Sequence, residues 1–220
     1  DEIPAATRQQ VAVSASLGAQ FLLWEFATAV AGRLLEVNPF DQPDVESAKI
    51  AARGMLEQRA AEHPALFSDG AVEVRSQALE LSSDLNLEQA IAALLAKLSQ
   101  TTGYISIHAY LDRHSAGSAS ELRDLLARRT GRPVTFGWGP RFLHSTGQYH
   151  KGGPKQGVFL QLTAKASRDF AVPGRDFSFG ELISSQAAGD ANVLAELGLP
   201  VLRLNFTDVA AGLAQLKSAI

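Results

Sequence analysis

From residue 87 to the C-terminus, strand-like and helix-like segments follow one another in strict alternation. Leu87–Leu98 reads as a helix capped by Asn86, Gly103–Tyr110 as a strand, Ala119–Arg129 as a helix closed by Gly131, and Pro133–Trp138 as a strand. Beyond a glycine-rich loop, Gly157–Thr163 reads as a strand, Phe179–Leu197 as a helix closed by Gly198, and Pro200–Phe206 as a strand, with Thr207 capping a last helix. Strands joined through helices return parallel to one another, and the helices then cover both faces of the sheet. The expected fold class is α/β: a three-layer αβα sandwich with a mostly parallel sheet, preceded by long helices. Sheets of this kind bind ligands beyond the carboxyl ends of their strands, which directs attention to loops such as 137–156.

The entry is helical. Residues 5–35 read as one helix, and Phe21, Leu22, Trp24, Val30 and Leu34 suit a largely buried one. Asn38-Pro39-Phe40-Asp41-Gln42-Pro43 breaks it, and a second helix runs from Pro43 to about Ala61. Residues 62–86 are a mixed excursion with a short strand around Val72–Val74. The chain is read as a single domain over 1–220 with its helical entry over about 1–61. Its first residue is not Met, so it is expected to be a piece of a longer polypeptide.

Composition narrows the function classes. A 46% hydrophobic, 20% charged chain of 220 residues has apolar material for a core, which excludes wholesale disorder. With no cysteine there is no disulfide framework, thiolate metal site or catalytic thiol. Lys and Arg number 20 against 23 Asp and Glu, without the basic excess of a nucleic-acid binder. The most apolar stretch, Phe21 to Leu35, is interrupted by Glu25 and Arg33 and falls short of the ~20 apolar residues of a membrane span. Asp1-Glu2 opens no signal peptide, and a cytoplasmic location is expected.

Charge is nevertheless segregated. Residues 133–168 hold Arg141, Lys151, Lys155, Lys165 and Arg168 and no acid, which leaves −8 on the remainder of a chain whose net charge is −3. Inside this window lies Gly137-Trp-Gly-Pro-Arg-Phe-Leu-His-Ser-Thr-Gly-Gln-Tyr-His-Lys-Gly-Gly-Pro154. Glycines let backbone amides approach an anion, and Ser, Thr, Lys and Arg add donors, as a phosphorylated small molecule requires. His144 and His150 add groups that exchange protons near neutral pH. The competing reading is a solvated basic loop, and the His pair lacks a nearby carboxylate to complete a metal site. His108, inside a strand, reads as a hydrogen-bonded core histidine. Glu25 reads as a buried acid, either paired or catalytic.

Gly32-Arg-Leu-Leu-Glu-Val-Asn-Pro-Phe-Asp-Gln-Pro-Asp-Val-Glu-Ser-Ala-Lys49 resembles the second signature of glucose-6-phosphate isomerases. Phe40, Asp41, Gln42, Val45, Glu46 and Lys49 match, and Asp44 stands where that pattern has Gly. The segments Leu17–Gly32, Gly139–Pro154 and Phe177–Leu204 are similar to the isomerase portion of bifunctional transaldolase/glucose-6-phosphate isomerases. The resemblance covers nearly the whole chain and is weakest over 60–100.

The resemblance implies the C-terminal one of two sugar-isomerase (SIS) domains, and the interconversion of glucose 6-phosphate and fructose 6-phosphate through a cis-enediol, without metal or cofactor. It implies that Lys49 assists ring opening and that a His in Ser145-Thr-Gly-Gln-Tyr-His150 opens the ring: His150, with His144 as the alternative. Tyr149 interrupts that match. Ser145, Thr146, Gln148, Gln42, Lys151 and Arg141 would contact the substrate. The catalytic base and most of the phosphate site would lie on an upstream SIS domain of the same polypeptide, with a transaldolase domain or a homodimer partner as further associates. The other class of function consistent with these residues is a non-catalytic SIS-like domain that binds sugar phosphate or docks a partner.

Overall fold

The computed structural model describes residues 12–41, 50, 54, 64–144 and 146–220, the side chain of residue 144 excepted. The chain divides into two compact units, residues 1–42 and 43–220.

The first unit carries helix α1 (Leu17–Leu35). It stops where Glu36 adopts a left-handed conformation (φ 55°), and Pro39 then packs within 3.0 Å of the position a Cβ on Gly32 would take. Gln42 and Pro43 lie outside the described residues, and the expected break is present over residues 36–41. The expected burial is not: Phe21, Trp24 and Phe26 are each more than half exposed, and Glu25 is exposed with them. Apolar residues surround this helix on every side, so no single contact within its own unit could cover them. The second predicted helix lies outside the described residues, apart from Ile50 and Gly54, which are helical.

The second unit is built on a six-stranded sheet of order β1-β2-β6-β5-β3-β4. Its strands are β1 (Phe67–Asp69), β2 (Val72–Gln77), β3 (Tyr104–Tyr110), β4 (Val134–Trp138), β5 (Gly157–Ala164) and β6 (Val201–Phe206). The run β6-β5-β3-β4 is parallel, and the β1–β2 hairpin adds antiparallel to β6. The helices are α2 (Leu87–Ala96), α3 (Leu122–Thr130), α4 (Gly147–Gly152), α5 (Phe179–Glu196) and α6 (Val209–Ala219). The three-layer α/β sandwich expected from the alternation is what forms.

Local chemistry explains the ends. Asn86 and Gln89 form a reciprocal capping box on α2, as Ser178 and Glu181 do on α5. Gly131 closes α3 with φ 64°. Asp208, not Thr207, caps α6, accepting from Ala211 N at 2.9 Å, because the Thr207 hydroxyl is taken by Ala71 O. The stretch 62–86, read as an excursion, supplies both antiparallel strands.

The two faces of the sheet differ. On one, Ile105, Ile107 and Leu160 pack with Leu94 of α2, Leu126 of α3 and Leu216 of α6. The other is covered by α5, where Ala191 and Leu194 meet Phe159 and Val201, and by the segment 141–153. That face carries polar side chains in rows: His108 stands beside Gln161, Gln161 beside Arg203, and Arg203 beside Arg75.

Candidate functional site

The predicted loop is not open. After β4 it forms a 3-10 turn (Arg141–His144) and the short helix α4, and it folds under the sheet before β5 begins. His150 and Lys151 are both buried, at 4% exposure. They enter a sealed network that sequence reading left unassembled. The Lys151 Nζ donates to Asp190 Oδ1 at 2.6 Å, and Asp190 Oδ2 lies 3.1 Å from His108 Nδ1. His108 Nε2 is 2.9 Å from Ser106 Oγ, which lies 3.2 Å from His150 Nε2 and accepts from Thr135 Oγ1 at 2.9 Å. The His150 Nδ1 is 2.9 Å from Tyr104 Oη.

With His108 neutral, one proton arrangement satisfies every atom. The carboxylate takes the His108 Nδ1 proton, so His108 Nε2 accepts from the Ser106 hydroxyl. Ser106 then accepts from Thr135 and from His150 Nε2–H, and His150 Nδ1 accepts from Tyr104. The order Ser106–His108–Asp190 matches that of a nucleophilic triad. It does not act as one, because Ser106 is 2% exposed and both its lone pairs are engaged.

The electrostatics follow the burial. Burial raises the Asp190 pKa, but the hydrogen bond of His108, with the charge of Lys151, outweighs it and holds the carboxyl below its ordinary value. The His150 pKa is pushed down to about 3, chiefly by burial. The Tyr104 hydroxyl is pushed up by burial and by Tyr149.

The open space lies elsewhere. A crevice of about 870 Å³ sits at the carboxyl ends of β3 and β5, where such sheets receive ligands. Tyr110, Gly139 and Ala164 line it, with the hydroxyls of Ser184 and Ser185 from the start of α5. Lys165 and Arg168 stand exposed at its rim; neither forms an ion pair among the described residues, although Arg168 lies over the Phe170 ring. Two of the rim acids are committed locally. Asp112 accepts from His114 N and Ser115 Oγ, and Asp169 from Gly180 N and Ser178 Oγ. Both carboxyls are held below their ordinary pKa, Asp112 first by the His114 amide and Asp169 first by the Ser178 hydroxyl. Glycine is required at 139, where a Cβ would come within 2.5 Å of the Tyr110 ring. Gly139→Ala is expected to cost ~1–3 kcal/mol in chemical unfolding by overpacking this floor. A loss under about 0.5 kcal/mol would mean that the ring yields freely.

The predicted site residues thus separate. Lys49, Gln42 and Ser145 lie outside the described residues, as does the His144 side chain. Arg141 and Thr146 are exposed, and Thr146 Oγ1 turns back to Phe142 O at 3.5 Å. Gln148 is half-buried. His150 and Lys151 are joined to each other only through the network, facing away from solvent. Its other members, Tyr104, Ser106, Thr135 and Asp190, were missed. Their signal was the alternation Tyr104-Ile-Ser-Ile-His-Ala-Tyr110, which sets Ser106 and His108 on one face of a central strand. The reading of His108 as a core histidine holds, since both its nitrogens are bonded. Among the described residues no three His, Asp or Glu side chains group to hold a metal, and no helix is long and apolar enough to cross a membrane.

No family model matches the chain. No curated protein matches it either. Among solved structures it is similar to the hypothetical protein TT0462 from Thermus thermophilus, at 19% identity and a TM-score of 0.49, over 79% of this chain and 42% of that one. The chain therefore spans less than half the length of that neighbour.

Proposed function

We propose that this chain is the C-terminal sugar-isomerase domain of a glucose-6-phosphate isomerase, acting in glycolysis and gluconeogenesis in the cytoplasm. The observation that carries this reading is the crevice at the carboxyl ends of β3 and β5. Its volume of about 870 Å³ falls within the ~300–1,000 Å³ of small-molecule sites. Its rim presents two cations without ion partners, set among four acids that can accept from sugar hydroxyls, and its wall presents hydroxyls. Those groups suit a phosphorylated polyol.

In this reading the substrate ring opens, a proton moves between C1 and C2 through a cis-enediol, and the ring closes. Lys49 donates toward the ring oxygen as it leaves. His150 has no free nitrogen in the network, so the ring-opening role passes to His144. The base comes from the upstream domain, and a homodimer is the expected assembly. The second reading, a domain that binds sugar phosphate without turning it over, draws on the engagement of both His150 and Lys151 in a sealed network.

A coupled assay of fructose 6-phosphate isomerisation on the full-length polypeptide separates the two. Lys49→Ala is expected to lower turnover by ~10²–10⁴-fold, the range of a lost general acid. Turnover retained within a few-fold, with affinity unchanged, would sink the role of Lys49.

A further inference from the structure

The second unit has another concavity, of about 370 Å³, at the opposite end of the sheet. Gly157 at the start of β5 and Pro200, next to β6, line it, together with Thr102 just before β3. Lys97 and Lys155 stand on its walls, with the hydroxyls of Ser99 and Thr102. No Asp or Glu lines it. The carboxyl-end crevice, by contrast, sets Lys165 and Arg168 among four acids, Asp112, Asp169, Asp176 and Glu181.

We infer that this amino-end concavity binds a phosphate group, free or as a monoester, on Lys97 and Lys155, apart from the site proposed for isomerisation. Both ammonium groups are exposed, and neither forms a hydrogen bond or ion pair with a described residue. A cation that lines a recess and lacks an ion partner there is set to take a charge-assisted bond from an anion. The field opposing it is smaller. Helices α2 and α5 end here, at Ala96 and Glu196, and each helix C-terminus carries roughly −0.5 charge. Two such ends offset about half of the two lysine charges and leave the recess positive.

The wall supplies the remaining contacts. The Ser99 hydroxyl lies 3.1 Å from Thr102 Oγ1 and receives the Thr102 amide at 3.3 Å, which holds both hydroxyls at the recess. Ala78, also on the wall, has φ 48°, a left-handed conformation that L residues adopt only at a cost of ~1 kcal/mol or more. Such strain gathers at ligand sites, and here it brings the end of β2 to the recess.

Titration calorimetry of the folded chain with inorganic phosphate and with fructose 6-phosphate tests the inference, with fructose as the uncharged control. Phosphate is expected to bind with a Kd of roughly 1 mM and to weaken as salt rises. Measured in a Lys165→Ala/Arg168→Ala background, which removes the cations of the carboxyl-end crevice, Lys97→Ala/Lys155→Ala is expected to weaken it at least ~10-fold. If inorganic phosphate and fructose 6-phosphate bind the Lys97/Lys155 pair alike, the site reads the phosphate group alone; stronger binding of the ester points to a monoester as its natural occupant. Binding that survives the Lys97/Lys155 change, fructose binding as tightly as phosphate, or no heat with either anion would each overturn the site. All these results are independent of turnover, so isomerase activity can fail while this site stands, and the reverse.

Discussion

Replacing Asp190 with alanine is expected to lower the unfolding free energy by about 3–5 kcal/mol and the Tm by roughly 6–20 °C. The Asp190 side chain is fully buried and the Lys151 side chain is 1% exposed. Removing the carboxylate strands an ammonium with no water to turn to, and the His108 Nδ1–H loses its acceptor at the same stroke. Most of the loss is the cost of the uncompensated charge rather than the worth of the pair. Asp190→Asn/Lys151→Met removes both charges and keeps an acceptor for His108. It is expected to be the more stable of the two variants by at least ~1 kcal/mol. Chemical unfolding of both proteins measures the difference. A cost below about 1 kcal/mol for Asp190→Ala would mean that Lys151 reaches solvent and that the network is not sealed.

Stability is expected to fall as pH drops from about 6.5 to about 3, with His150 as a principal cause. Its folded pKa of about 3 lies below the 6.5 of an ordinary histidine. Above pH 6.5 the imidazole is neutral in both states, and its contribution to stability is fully present. Between the two values the unfolded chain binds a proton that the folded chain refuses. Stability then drops by up to ~1.4 kcal/mol per pH unit, on the order of 4 kcal/mol across the window. Asp190 acts in the same direction further down, because its depressed pKa makes its contribution vanish only as pH falls through that value. His150→Gln offers a donor and an acceptor without titrating. It is expected to be less stable than the parent at pH 7 but to lose much less between pH 6.5 and 4. Parallel losses in the two proteins, measured by urea unfolding at matched pH, would refute the assignment to His150.

Much of the fold was legible because it rests on local chemistry. The Asn86 cap, the glycines at 131 and 198, and the period-two and helical patterns between them each act within a few residues. Together they specify parallel strands under helices. The apolar helix α1 was legible as a helix but not in its surroundings, because a helix that is apolar on every side does not say what covers it. The hairpin of β1 and β2 was half legible: Val72–Val74 has strand character, but its partner β6 lies more than 120 residues away in the chain.

The site divides along the same line. Sequence by itself determined the α/β alternation and the charge segregation at 133–168. Those are properties of residue order. Only the tertiary structure decided that Lys151 and His150 turn inward. That outcome depends on Asp190, 39 residues beyond Lys151, reaching the same point under the sheet. A lysine in a glycine-rich loop reads as a ligand for anions until a buried carboxylate claims it. The crevice at the carboxyl ends and the basic recess at the amino ends were equally hidden. Each is assembled from strand ends that meet only after the crossovers have brought them side by side.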